Sequence, residues 1–324
     1  MTQPSNTARY DVLTMGRSSI DLYAHQIGVP MPEVTSFDAY VGGCPTNISV
    51  GTRRLGLESA LLTALGDDQV GDFILAFLQK EGIETAYIPR KAGHRTSAVL
   101  MAIQPPDKFP LTFYREGCAD RELTCDDVRR APIDRTAMVV VTGTGLSHEP
   151  SRAATLLAAE RARSAGADVL VDLDYRPDQW ATRADFSAAV RKLLSYASLA
   201  VGTEEETVAA ADNDDLPAAI GAIAGSGPGA FVVKRGARGA SVYAPGAAPR
   251  RDIPAFPIVV LNVLGAGDAF ASGLIWGLRR GLSLDDAVRR GNATGAIVVT
   301  RHGCANFMPT VPEVEEFVQA KGGW

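Results

Sequence analysis

The sequence predicts an α/β protein: one doubly wound, mostly parallel sheet with helices on both faces. Three observations carry that expectation. First, short apolar, β-branched runs alternate with runs of helical spacing along most of the chain, the pattern of a parallel sheet covered on both sides. Second, polar residues recur just beyond the carboxyl ends of those runs, where open α/β sheets bind ligands: Ser19, Asp21, Arg176 and Glu206. Third, Asn262 to Gly273 reads as a loop-to-helix junction, with Gly265-Ala266-Gly267 in the loop and Asp268 in the first helical turn. Small residues there let backbone N–H groups approach an anion, and the helix N-terminus adds partial positive charge. A carboxylate beside such an anion hole suits phosphoryl transfer, with Asp268 taking the proton from an attacking hydroxyl. The dinucleotide fingerprint fits less well, because Phe270 stands where its third glycine belongs.

The elements follow in order. Tyr10 to Met15 is a first buried strand ending at Gly16, and Arg17 to Tyr23 continues extended. Gly42-Gly43-Cys44-Pro45-Thr46-Asn47 opens a helix to about Leu55, with Pro45 near its start, where a missing N–H costs nothing. Ala60 to Leu65 is a strand, and Asp67-Asp68 caps the helix Gln69 to Lys80. Thr96 to Ile103 and Leu111 to Tyr114 are joined by a loop holding Pro105, Pro106 and Pro110 and no helix. They read as an antiparallel pair, either an edge hairpin of the main sheet or part of a small β-lid formed by residues near 20–41 and 95–116. Alternation resumes with the strand Met138 to Thr142, the helix Ser151 to Ser164 and the strand Ala167 to Leu173. A helix over 184–196, a short strand Leu199 to Val201 and the pair Phe231 to Lys234 and Ala240 to Tyr243 follow. A β-rich run from Ile253 to Leu261 leads into the junction, and helices at 267–279, 283–300 and beyond Pro312 close the chain. One domain spanning 1–324 accommodates all of this.

Composition narrows the function classes. A hydrophobic fraction of 46%, a charged fraction of 21% and a net charge of −5 describe an ordinary enzyme-like chain. They argue against a nucleic-acid or anionic-membrane binder, so an anionic substrate needs local basic residues. No apolar run reaches membrane-spanning length and Met1 to Arg9 lacks a signal-peptide core, so a cytoplasmic location is expected. Cys44, Cys118, Cys125 and Cys304 show no metal-ligand spacing and are expected to be reduced.

Asn262 to Ile275 resembles the C-terminal motif of the ribokinase-like (PfkB) carbohydrate kinases, and Gly42-Gly43-x-x-x-Asn47 with Gly56 and Gly66 resembles their N-terminal motif. Gly66-Asp67-Asp68-x-x-Gly71, Glu206 and Lys234-x-Gly236-x-x-Gly239 fall between them in order. The resemblance covers nearly the whole chain. It implies a ribokinase-like fold with ATP and Mg²⁺ as cofactors, Asp268 as catalytic base, and the amides of Gly265, Ala266 and Gly267 holding the transferring phosphoryl group. It further implies Glu206 toward Mg²⁺, Lys234, Gly236, Gly239 and Asn292 toward the nucleotide, and Ser19, Asp21, Gly43 and Asn47 toward the sugar. Two departures stand out: Thr203 replaces the Asn of Asn-x-x-Glu, and Asn262-Val263 replaces Asp-Thr. In relatives that aspartate helps hold a monovalent cation such as K⁺, which a neutral Asn262 puts in question.

Two arginines point to the acceptor. Arg115 follows the second lid strand and Arg176 ends a core strand, and a pair of guanidinium groups at a sugar pocket suggests a carboxylate. Gly16 to Tyr23, Tyr40 to Asn47 and Arg301 to Asn306 also resemble the branch of the family that acts on a deoxy keto sugar acid of myo-inositol catabolism. A kinase for another deoxy keto acid ranks second, and neutral-sugar kinases third. A sugar-binding sensor is the non-enzymatic alternative, and an exposed lid strand allows a homodimer through the lid.

Overall fold

The computed structural model describes residues 10–105, 108–244 and 250–324; the expectations for Met1 to Arg9 and Pro106 lie outside them. The chain begins with strands β1 (Tyr10–Met15), β2 (Ser19–Ile27) and β3 (Phe37–Gly42), helix α1 (Cys44–Arg54), β4 (Ser59–Leu62) and β5 (Leu65–Gly66). Next come α2 (Gln69–Lys80), β6 (Arg90–Lys91), β7 (Ser97–Ile103), β8 (Leu111–Tyr114) and α3 (Cys125–Arg130). The middle holds β9 (Thr136–Thr142), α4 (Ser151–Ser164), β10 (Asp168–Asp172), α5 (Arg183–Leu194), β11 (Leu199–Thr203), α6 (Glu204–Ala211) and α7 (Leu216–Ala224). The chain ends with β12 (Phe231–Lys234), β13 (Ala240–Tyr243), β14 (Arg251–Ile253), α8 (Ala266–Arg279), α9 (Leu284–Val298) and α10 (Val311–Ala320).

The central sheet runs β14-β13-β12-β11-β10-β9-β1-β4 and is parallel except that β13 pairs antiparallel with both β12 and the edge strand β14. Successive side chains of a strand face opposite ways. In β10, Val169 and Val171 therefore join the core under α4 and α5 with Ala158, Phe186 and Val190. Leu170 joins the opposite core with Ile48, Phe270, Leu274 and Ile297 of α1, α8 and α9. Both faces are thus buried, which explains why these strands read as continuous apolar runs.

A second sheet, ordered β3-β2-β7-β8, stands apart from the first. β7 and β8 form the expected antiparallel pair, with Val99 opposite Phe113, and β2 lies parallel to β7. This decides against an edge hairpin of the main sheet.

The β-rich run expected over 253–261 is corrected. Only Arg251–Ile253 is a strand, and the chain from Pro254 to Leu264 forms no regular element. Pro254 and Pro257 supply no ladder N–H, so the apolar residues between them cannot pair despite their β propensity. Helices α3, α6 and α7, which the periodicity did not reveal, are short and capped by Thr124 and Thr203 or opened by Pro217.

Candidate active site

Gly265 is the N-cap of α8 and adopts φ 78°, a left-handed conformation in which a β-carbon would lie 2.7 Å from the Cys304 backbone nitrogen. Only glycine accepts both conditions without strain. The first helical bond runs from the Ala269 N–H to the Gly265 carbonyl at 2.9 Å. First-turn amides have no partner within the helix. Ala266 donates its N–H to the Val263 carbonyl at 3.3 Å, while among the described residues no acceptor engages the N–H groups of Gly265 and Gly267. Two of the three expected anion-hole amides are therefore available outright.

Asp268 extends from the same turn toward α1, where the Asn47 Nδ2 donates to its Oδ2 at 2.6 Å. Burial pushes the Asp268 carboxyl above the ordinary range, the Asn47 amide and the Cys44 thiol hold it down, and Asp174 pushes it up again. Burial beside these carboxylates also raises the Cys44 thiol well above its usual value, so it is a proton donor rather than a thiolate. The Asn47 Oδ1 is buried with no partner among the described residues, an acceptor on the same amide that holds the base.

These groups open into a cleft of about 290 Å³ between the carboxyl ends of the central strands and the second sheet. Val99, Leu111 and Phe113 of the second sheet form one wall, and Asp172, Asp174 and Glu206 stand at the strand ends opposite. A larger groove of about 830 Å³ lies between α4 and α5, but it contains none of the expected site residues. The chemistry converges on the smaller cleft.

Lys234 Nζ sits 3.4 Å from Asp172 Oδ1 and 3.8 Å from Glu206 Oε2, and a β-carbon on Gly267 would come within 3.2 Å of it. This ammonium thus adjoins the anion hole. Burial opposes its charge, but Asp172 and Glu206 outweigh that and raise its affinity for the proton. The Asp172 carboxyl is pushed up to about 7, first by burial and then by Glu206, Asp174 and Asp268, with Lys234 acting against them. Glu206 also closes a capping box with Thr203, whose N–H donates to Oε2 at 2.7 Å. Among the described residues no three-carboxylate cluster suits a metal. Two adjoining carboxylates, Glu206 and Asp172, do fit Mg²⁺, which binds through one or two carboxylates, phosphate oxygens and retained waters.

The other expected site residues divide. Asp21, Gly43, Asn47 and Arg176 line the cleft, whereas Ser19 is buried behind it and donates to Asp21 Oδ1 at 2.7 Å. Arg115 departs from expectation. It is buried away from the cleft, with Nε on Asp120 Oδ2 at 2.7 Å and further bonds to the Thr144 carbonyl and Gln179 Oε1. Following β8, it ties that strand to the core as a structural ion pair. Asn292 also lies outside the cleft lining, donating to the carbonyls of Ile253 at 3.1 Å and Pro254 at 2.9 Å. Gly236 and Gly239 flank the turn between β12 and β13, with Gly239 packed against the Ile253 carbonyl. Sequence reasoning assigned no role to Arg17, Asp172 or Asp174, which all line the cleft. The Asp172-x-Asp174-x-Arg176 spacing at a strand end was the available signal for the last two.

A family profile described as pfkB family carbohydrate kinase matches residues 10–311. A 5-dehydro-2-deoxygluconokinase of Shouchella clausii (strain KSM-K16) is 34% identical over 316 residues, covering 96% of each chain. Fructokinase with bound ATP from Xylella fastidiosa superposes with a TM-score of 0.86 at 25% identity, covering 96% of this chain and 99% of its own. A ribokinase II from E. coli in complex with ATP and Mg²⁺ superposes at 0.87 with 22% identity, covering 96% and 99%.

Proposed function

Because the chain belongs to the pfkB family of carbohydrate kinases, we propose that it transfers the γ-phosphoryl group of ATP to the terminal hydroxyl of 5-dehydro-2-deoxy-D-gluconate, giving the 6-phosphate and ADP. Near-full-length similarity to a relative bearing that activity in its name supports the choice of acceptor. The observation that carries the reaction type is the pairing of Asn47 and Asp268 at 2.6 Å beside the N–H groups of Gly265 and Gly267.

In this reading Asp268 takes the hydroxyl proton as the acceptor oxygen bonds to the γ-phosphorus and the bond to the β-phosphate oxygen breaks. The Asn47 amide fixes the carboxylate's orientation, and its unpartnered Oδ1 accepts from a sugar hydroxyl. The Gly265 and Gly267 amides and the α8 terminus hold the equatorial phosphoryl oxygens, with the Lys234 ammonium close by to balance their charge. Glu206 and Asp172 would hold Mg²⁺, which when bound neutralises phosphate charge. Val99, Leu111 and Phe113 exclude water from the acceptor side. A homodimer through the lid is consistent with the exposure of Phe37 and Tyr114 on its outer strands. Among the described residues no helix is long and apolar enough to cross a membrane.

The test is a Mg-ATP-coupled assay across 5-dehydro-2-deoxygluconate, 2-dehydro-3-deoxygluconate, fructose and ribose, with ³¹P NMR of the product. Preference for the first acid, phosphorylated at its terminal oxygen, is expected. Preference for the second acid would make the chain a 2-dehydro-3-deoxygluconokinase; turnover of none would favour a binding protein.

A further inference from the structure

We propose that Arg17 is the residue that reads the acceptor's carboxylate, an inference that rests on the sugar-acid reading above. The cleft is lined by three cations, Arg17, Arg176 and Lys234, and two of them already face carboxylates. Arg176 directs Nε at 3.0 Å and Nη2 at 2.9 Å onto Asp174 Oδ1, while Thr144 Oγ1 donates to the other oxygen of that carboxylate at 2.9 Å. Lys234 lies between Asp172 and Glu206. Arg17 differs. Among the described residues no carboxylate lies within ion-pair distance of it, and its side chain makes a single hydrogen bond, from Nη1 to Ser19 Oγ at 2.7 Å.

That one bond orients the group. Ser19 donates its own proton to Asp21 Oδ1 at 2.7 Å, so its oxygen is fixed as an acceptor for Arg17. On another side the guanidinium carbon lies 5.4 Å from the centre of the Phe113 ring, on lid strand β8. A planar fork held by a hydroxyl and an aromatic ring, with its remaining N–H groups unpaired, is pre-organised for a bidentate carboxylate.

Placement along the cleft agrees. Lys234 adjoins the anion hole, since a β-carbon on Gly267 would come within 3.2 Å of its ammonium, and Arg176 is held on Asp174 at a strand end. Arg17 instead stands against Phe113, on the wall of the cleft that the second sheet forms. A linear sugar acid with its terminal hydroxyl on Asp268 carries its carboxylate at the opposite end of the carbon chain. Among the described residues, Arg17 is the cation of the cleft left without a carboxylate, beside the second-sheet wall and free to receive it.

The test uses the full chain and its Arg17→Gln, Arg17→Lys and Arg176→Gln variants, with steady-state kinetics on 5-dehydro-2-deoxygluconate and calorimetric binding of gluconate and of neutral glucitol. Arg17→Gln should raise the KM for the acid roughly 10- to 100-fold, the worth of a charge-assisted bond. Its KM for ATP should not change, nor its affinity for glucitol. Arg17→Lys, which keeps the charge but loses the fork, should fall between, and serves if the glutamine variant does not fold. An unchanged KM for the acid in Arg17→Gln would overturn the proposal. So would equal losses for gluconate and glucitol, or a carboxylate-specific loss in Arg176→Gln alone. Failure of the unaltered enzyme to phosphorylate the acid would sink the functional reading instead, and the gluconate–glucitol comparison would still decide the role of Arg17.

Discussion

Replacing Gly265 with alanine separates backbone strain from damage to the anion hole, because the chain contains a matched control. Gly265 and Gly281 have nearly the same φ, +78° and +77°, so alanine at either site adopts an unfavourable left-handed conformation at about 1–2 kcal/mol. Gly281, beyond the end of α8, has nothing within 4 Å of an added β-carbon. At Gly265 the same carbon meets the Cys304 nitrogen at 2.7 Å. That nitrogen is backbone of a fully buried residue and cannot swing aside, so overpacking adds about 1–3 kcal/mol. Gly265→Ala should therefore lose about 2–5 kcal/mol in urea denaturation, against about 1–2 for Gly281→Ala. The functional contrast should be larger. Relief of the contact moves the first turn of α8, and a displacement near 1 Å at a phosphoryl site costs roughly 100-fold in kcat. Gly281→Ala should keep normal kcat. Equal kcat in the two variants would refute the view that the Gly265 turn positions the transferring group.

Two further predictions concern charge. Burial pushes the Asp127 carboxyl up, but hydrogen bonds from Lys91 at 2.6 Å and the Thr124 N–H at 2.9 Å bring it down to about 2. A depressed carboxyl stabilises the fold above its unfolded pKa and loses that contribution as pH falls through its folded value. Asp127→Asn should thus cost roughly 1–2 kcal/mol near neutrality, with the gap to the parent closing between about pH 4 and pH 2; a gap independent of pH would contradict this. Asn262 is buried, donating Nδ2 to the His302 carbonyl at 2.6 Å and accepting the Leu264 N–H at 3.0 Å. An amide engaged with both groups brings no negative charge to that loop, so exchanging K⁺ for tetramethylammonium should leave kcat unchanged. A marked loss on that exchange would show that the loop binds a cation despite its neutral side chain.

The alternation of apolar runs made the central sheet legible because both its faces are covered, as the division of Val169 and Leu170 between two cores illustrates. Asp268, Asn47 and the Gly265 turn were legible for a different reason: a helix start fixes side-chain direction within a few residues, so local spacing carries the geometry. Where position depends on distant partners, the sequence was mute. Arg115 looked like a pocket residue, but Asp120, Thr144 and Gln179 together draw it into the interior. The run 253–261 read as β-rich because apolar composition is compatible with a strand, yet beyond Ile253 its prolines deny the ladder its donors. Arg17 went unassigned because its significance is relational. It emerges only once Asp174 is seen to engage Arg176, and Asp172 and Glu206 to engage Lys234.

In the proposed mechanism a buried carboxylate at the foot of α8 removes the proton from a sugar-acid hydroxyl during phosphoryl transfer. The most direct test is the kcat of Asp268→Asn on 5-dehydro-2-deoxygluconate, with ATP binding measured by calorimetry on the same preparation. Asparagine preserves the side chain's shape but cannot accept the proton. Asp268→Asn should lose roughly 10²- to 10⁴-fold in kcat with ATP affinity essentially unchanged. Turnover near that of the parent enzyme would contradict it.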